Sequence, residues 1–199
     1  MTKSTIIAPA SAPGRGGVSV VRISGPKARP IAQTLCGDLE EPWKLKRCTI
    51  RGEGGVGLDT GLVVFFKSPN SYTGEDVVEL HCHGNPRLVD LIVAEGVSHG
   101  ARVAEPGEFT KRAYLNNKMD LAQAEAVADL IAAQTEGAAM AAQNSLSGGF
   151  SSDINSCIDS LVASRVYVEA SLDFPEEEID EEGLARVGSG IKEQLGFVK

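Results

Sequence analysis

The first 117 residues alternate between short apolar segments and clusters of glycine and proline, which is typical of a domain with strands and helices. Alternating apolar and polar positions predict strands, and apolar residues spaced by three and four predict helices. The predicted strands are Thr5–Ala8, Gly17–Ser24, Leu58–Phe66, Asp76–His83 and Ala101–Ala104. The predicted helices are a short one that begins near Pro30, one that follows the cap residue Asn85 and ends at Gly100, and one from Pro106 to Leu115.

After residue 117 the chain becomes rich in alanine and has no proline before Pro175, which favours long helices. The spacing predicts one helix from Asp120 to about Ala142 and a second that follows Gly149, extends through Leu172 and is ended by Pro175, with the two packed antiparallel. A last helical segment is predicted from Gly183. Two long helices cannot bury their apolar faces alone, so their partners would come from the first domain, another chain or further sequence. The predicted fold class is α+β, with a mixed-sheet domain over residues 1–117 and a helical part over residues 118–199.

Composition and charge narrow the class of protein. The chain is 42% hydrophobic and 23% charged, as in soluble globular proteins, and no apolar run approaches the roughly 20 residues that span a bilayer. The N-terminus lacks the apolar stretch of a signal peptide, so we expect a cytoplasmic protein that does not enter a membrane. The net charge is −8, but much of it lies between Asp173 and Glu182, interpreted as a solvated loop. The remaining charge does not exclude an RNA partner. The sequence offers only one weak basic cluster that could contact RNA: Lys44, Lys46, Arg47 and Arg51.

Few motifs of known catalytic chemistry occur, and no catalytic residue is predicted. His81 and His83 would share one strand face, but two ligands do not make a metal site, so we expect them to line a pocket or to bond within the sheet. The sequence contains neither a nucleophile elbow nor a nucleotide phosphate loop, and the glycines of Gly14–Gly17 precede a predicted strand instead of a helix. The cysteines form no Cys-x-x-Cys pair and are predicted to be buried or indifferent thiols: Cys36, Cys48, Cys82 and Cys157.

Arg22 and Glu79 are charged residues among the valines of two predicted strands. A charge at such a position is costly unless it is paired or serves a ligand. Three interpretations follow from the residues alone. The two side chains form a structural salt bridge, or they lie at a sheet edge on a face that is exposed to water, or they bind a ligand.

Several segments occur in the order and at the spacing of one family, and they resemble the tRNA modification GTPases known as MnmE or TrmE. The segments are Pro13–Val18, Arg22–Gly25, Pro69–Asp76, Arg102–Phe109, Arg112–Asn116, Lys118–Ala126 and Tyr167–Glu177. The resemblance covers residues 5 to about 182. One departure is Glu105, which stands where the family frequently has arginine.

The resemblance implies a first domain similar in fold to folate-dependent aminomethyltransferases, which binds 5-formyl- or methylenetetrahydrofolate and forms a homodimer. It implies that, with the flavoprotein MnmG (GidA), such proteins place a carboxymethylaminomethyl or aminomethyl group on the wobble uridine of tRNA. The positions that match the family's folate contacts are Arg22, Glu79 and Lys118.

The family's GTPase domain, which uses GTP, Mg²⁺ and K⁺, has no counterpart in these 199 residues. The chain is therefore interpreted as an N-terminal fragment, truncated before that domain and inactive alone, although full-length members hydrolyse GTP. Two other hypotheses stay open. The chain could be a structural dimerisation fragment without a ligand, or a free-standing folate-dependent one-carbon transferase.

Overall fold

The structure is a computed structural model and describes residues 4–39, 41–173 and 181–197. It divides into two units, Met1–Asp120 and Leu121–Lys199. The described strands all lie in the first unit, and the second is built from helices. Most of the acidic run that was predicted to be a solvated loop, residues 174–180, lies outside the described residues. None of the described helices is both long and apolar enough to cross a membrane.

One mixed sheet organises the first unit, with the spatial order β3-β4-β5-β2-β1-β6. Its strands are β1 (Ile6–Pro9), β2 (Gly16–Ser24), β3 (Lys46–Arg51), β4 (Gly57–Phe66), β5 (Val77–Gly84) and β6 (Arg102–Val103). Neighbouring strands run antiparallel except β1 and β6, which are parallel. The sequence prediction missed β3, because the polar residues of this edge strand mask the inward alternation of Cys48 and Ile50.

Two helices cover one face of this sheet, and a third follows β6. They are α1 (Ala28–Cys36), α2 (Pro86–Ser98) and α3 (Glu108–Leu115). Helix α1 begins two residues before Pro30, which tolerates this place because the first N–H groups of a helix have no acceptor within it. Asn85 caps α2 as predicted, since its Oδ1 accepts a hydrogen bond from the backbone N–H of Arg87 at 3.0 Å.

The core lies between the sheet and the helices α1 and α2. Its largest buried side chains include Ile7, Val21, Ile23, Ile50, Val63, Leu80, Leu35 and Ile92. Three of the cysteines are buried and all four are free thiols, as predicted. The residues that alternate with this core on β2 and β5 face the other side of the sheet, and Arg22 and Glu79 are among them.

The second unit contains α4 (Leu121–Ala132), α5 (Glu136–Leu146), α6 (Gly149–Asp173) and α7 (Glu181–Phe197). The prediction of one continuous helix from Asp120 to Ala142 is wrong. The chain breaks after Ala132, and Thr135 caps α5 by accepting a hydrogen bond from the backbone N–H of Ala138 at 3.2 Å. Helix α4 packs against α5 and α6, and α7 packs against α6. The observed fold is thus a six-stranded mixed sheet with helices, followed by a helical unit.

Candidate ligand site around Arg22 and Glu79

An ion pair between neighbouring strands forms the centre of the candidate site. Arg22 on β2 lies directly opposite Glu79 on β5. Its Nε donates a hydrogen bond to Glu79 Oε1 at 2.8 Å, and its Nη2 lies 2.8 Å from the same oxygen. The two side chains keep 22% and 17% of their exposure. The salt bridge considered from the sequence is therefore present, and solvent still reaches it.

Two aromatic rings flank the guanidinium group of Arg22. Its central carbon lies 4.9 Å from the ring centroid of Tyr72 and 5.5 Å from that of Phe109. A cation at such distances is attracted by the ring faces. The Tyr72 hydroxyl also shares a hydrogen bond of 2.8 Å with Thr110 Oγ1 in α3, so one wall of the site is tied to that helix. Sequence reasoning did not single out Tyr72 or Phe109, although both lie in segments that carry the family resemblance.

Buried polar contacts fix the loop that carries Tyr72. The Ser24 hydroxyl lies 2.8 Å from Thr73 Oγ1 and donates to Glu75 Oε2 at 2.8 Å. Glu75 Oε2 also accepts a hydrogen bond of 2.9 Å from Nη1 of Arg112, a residue of α3. Glu108 adds a second carboxylate to the guanidinium of Arg112, at 3.0 Å. These contacts hold the loop and α3 together at the edge of the site.

Glu108 is the acid of this network whose pKa is shifted most clearly. Hydrogen bonds from Arg102, one of them 2.8 Å long, are the largest cause that lowers its pKa to about 2. Burial acts in the opposite direction, and the backbone N–H of Glu105 and the side chain of Arg112 add further hydrogen bonds that favour the charged form. Glu108 is therefore an ionised structural anchor at neutral pH.

Lys118 lies beside the loop of Tyr72 and not at the ion pair. Its backbone N–H donates to the carbonyl of Ala113 at 2.9 Å, and its side chain is exposed. A Cβ atom added to Gly74 would lie 3.2 Å from Lys118 Cγ, so the lysine stem packs over this glycine. Within the described residues, no hydrogen bond or ion pair joins Lys118 to Arg22 or Glu79. The structure thus brings two of the three predicted residues together and leaves the third one loop away.

The two histidines of β5 contact different carboxylates. His83 Nδ1 lies 2.8 Å from Asp59 Oδ1, and the His83 backbone N–H donates to Asp59 Oδ2 at 2.8 Å. Burial would raise the pKa of Asp59, but these hydrogen bonds outweigh it and lower the pKa. His81 Nε2 instead lies 3.4 Å from Glu79 Oε2. The prediction of bonding within the sheet is confirmed for His83, whereas His81 belongs to the candidate site.

Comparison with known proteins identifies the family. A family model described as "GTP-binding protein TrmE N-terminus" matches residues 5–118, and one described as "MnmE helical domain" matches residues 121–197. These matches leave no GTPase domain within the 199 residues. Proteins named tRNA modification GTPase MnmE are similar. That of Proteus mirabilis is 53% identical over 177 residues, which cover 88% of this chain and 39% of that protein.

Two further relatives carry the same name. The protein of Neisseria meningitidis is 53% identical over 88% of this chain and 39% of its own length. The protein of Legionella pneumophila is 51% identical over 90% of this chain and 41% of its own length. The chain thus spans about two fifths of the length of these relatives. From these matches, the chain belongs to the TrmE (MnmE) family and comprises its N-terminal domain and a helical segment.

Proposed function

We propose that the first unit binds a tetrahydrofolate derivative that carries a one-carbon unit. The main support is the carboxylate of Glu79, because Arg22 contacts only its Oε1 and leaves Oε2 without a hydrogen bond from that residue. The amidine edge of a pterin offers two parallel N–H donors, which match a carboxylate. Tyr72 and Phe109 provide flat apolar surfaces beside it, and these suit a bicyclic heterocycle.

Each predicted residue has a role that its position can support. Glu79 would accept the two N–H donors of the pterin. Arg22 would donate to the pterin carbonyl while it stays paired with Glu79 Oε1. Lys118, exposed one loop away, would meet the carboxylates of the glutamate tail. When bound, the folate would supply the one-carbon unit, and the residues of the site would hold it.

The role of the chain in a longer protein is also part of the proposal. Its relatives are named tRNA modification GTPases, and this supports a role in tRNA modification. The proposed target is the wobble uridine, and the proposed location is the cytoplasm. Such a role would use a homodimer of this domain and the flavoprotein MnmG. GTP hydrolysis, with Mg²⁺ and K⁺, would belong to a GTPase domain like that of the longer relatives and not to these residues.

Calorimetric titration of the chain with 5-formyltetrahydrofolate and, separately, with GTP tests the proposal. We expect saturable folate binding and no heat from GTP. Sedimentation of the same sample at tens of micromolar should show a dimer. A dimer that binds no folate would instead support the dimerisation fragment. Folate turnover by the chain alone would support a free-standing transferase.

A further inference from the structure

One ring nitrogen of His81 is buried and lacks a hydrogen bond within the described residues. Its Nε2 has almost no solvent exposure and no hydrogen-bond partner among the described residues. The ring as a whole keeps 29% of its side-chain exposure, so the residue borders the site without being sealed in the core. Buried nitrogen atoms of side chains are usually hydrogen-bonded, because an unsatisfied one loses its hydration without compensation.

One acceptor lies close to this atom. Glu79 Oε2 is 3.4 Å from His81 Nε2, although the contact lacks the geometry of a hydrogen bond. The residues directly across the sheet from His81 are Val20 on β2 and Leu62 on β4, and their side chains accept no hydrogen bond. Glu79 is therefore the side-chain partner that the local sheet offers to His81.

The two oxygens of Glu79 are held unequally. Among the described residues, Oε1 accepts a hydrogen bond from Nε of Arg22, whose Nη2 also lies 2.8 Å away, whereas Oε2 has His81 Nε2 at the longer distance. A carboxylate has about four lone-pair positions, two on each oxygen. One protein donor on each oxygen would fix the carboxylate plane and leave one lone pair on each oxygen for a pair of parallel N–H donors.

We propose that His81 is a positioning residue that donates from Nε2 to Glu79 Oε2 and so orients the carboxylate toward a ligand with two parallel N–H donors. The identity of this ligand rests on the proposed folate function. The role requires the tautomer that carries its proton on Nε2. It requires a shift of a few tenths of an ångström for the contact to reach ordinary hydrogen-bond length. Engagement of the carboxylate by the ligand completes this contact.

Paired variants separate this role from general support of the fold. His81→Leu removes the donor, whereas His81→Gln keeps an N–H donor on a side chain of similar reach. His83→Leu is the matched control. It makes the same substitution on the same strand, at a histidine that contacts Asp59 instead of Glu79. For 5-formyltetrahydrofolate we expect His81→Leu to weaken binding about tenfold or more. We expect His81→Gln and His83→Leu to bind within about threefold of the wild type.

A spectroscopic measurement checks the contact directly. In ¹H–¹⁵N spectra of the imidazole groups, saturation with 5-formyltetrahydrofolate should make the Nε2 proton of His81 visible at low field, because hydrogen-bonded protons exchange slowly. This signal should be absent in Glu79→Ala. A signal that is unchanged at saturation, or a His81→Leu variant that binds as tightly as the wild type with unchanged melting, would overturn the proposal.

A separate outcome concerns the proposed function. If the wild-type chain binds no 5-formyltetrahydrofolate, the folate proposal fails, and the contact can still be tested without a ligand. Glu79→Gln should then shift the Nε2 resonance of His81 and leave that of His83 in place, because only His81 faces residue 79. An unchanged His81 resonance in this variant would overturn the positioning role as well.

Discussion

Substitution of Glu79 by alanine separates binding from stability at the candidate site. The change removes the carboxylate proposed to accept two N–H donors, and hydrogen bonds to charged groups contribute about 1.5–3 kcal/mol. The affinity for 5-formyltetrahydrofolate should therefore fall about 10- to 150-fold. The free energy of unfolding should decrease by less than the free energy of binding. Arg22 and Glu79 are 22% and 17% exposed, and Arg22 keeps its contacts with Tyr72 and Phe109.

The loss of stability can be bounded from the same geometry. Removing one partner of a fully buried pair costs about 3–5 kcal/mol, and exposed pairs contribute about 0–1 kcal/mol. For this partly exposed pair we expect about 1–2 kcal/mol, or a decrease of a few degrees in Tm. Calorimetric titrations and thermal melts of the wild type and Glu79→Ala measure both quantities. Glu41→Ala, which removes an exposed carboxylate paired with Lys44, is the control for loss of charge. An unchanged folate affinity together with a large decrease in Tm would refute the binding role and leave a purely structural salt bridge.

Three further predictions concern the framework of the site. Arg112→Met leaves two buried carboxylates without their shared partner and should destabilise the first unit by about 3–5 kcal/mol, measured by urea unfolding. Because Arg102 lowers the pKa of Glu108 to about 2, the ionised carboxylate stabilises the fold above about pH 4.5, and this contribution is lost as the pH falls toward 2. Acid unfolding of Glu108→Gln should therefore depend less on pH over that window, and an unchanged profile would contradict the assignment. Gly61→Ala would place a Cβ atom against the His81 carbonyl oxygen, so this variant should lose the ordered β4–β5 pairing in hydrogen-exchange measurements.

The central pair could be predicted from the sequence because strand periodicity is local. Alternation along β2 and β5 placed Arg22 and Glu79 on one face of each strand, which was interpreted as an inward face. The structure puts both residues on the side of the sheet opposite the core, so that part of the prediction is wrong. Pairing them also required the register of two strands separated by more than fifty residues. The sequence pattern restricts such a register to the arrangements that bury the apolar face, and the observed one lies among them.

The walls of the site could not be predicted in this way. Tyr72 lies in a loop and Phe109 in the first turn of α3, where no periodicity applies. Their position beside Arg22 depends on Ser24, Glu75 and Arg112, which join the loop to β2 and α3 through buried polar contacts. Such contacts bring together segments that are distant in sequence, and no local pattern encodes them. The break after Ala132 was missed because of a local pattern. The high alanine content favours a helix on both sides of the break, and the single capping residue Thr135 does not change that pattern.

The salt-bridge and ligand interpretations of Arg22 and Glu79 are compatible once the geometry is considered. Arg22 donates its hydrogen bond to one oxygen of the carboxylate, so lone pairs remain for a ligand that engages Glu79 without breaking the pair. The guanidinium also holds the Glu79 carboxylate in place, and hydrogen bonds to a carboxylate are stronger than those between neutral groups. The pair therefore stabilises the two strands and prepares the acceptor at the same time. It follows that Arg22→Leu should weaken folate binding even if the ligand never contacts Arg22, whereas Arg22→Lys, which keeps the positive charge, should retain more of the affinity.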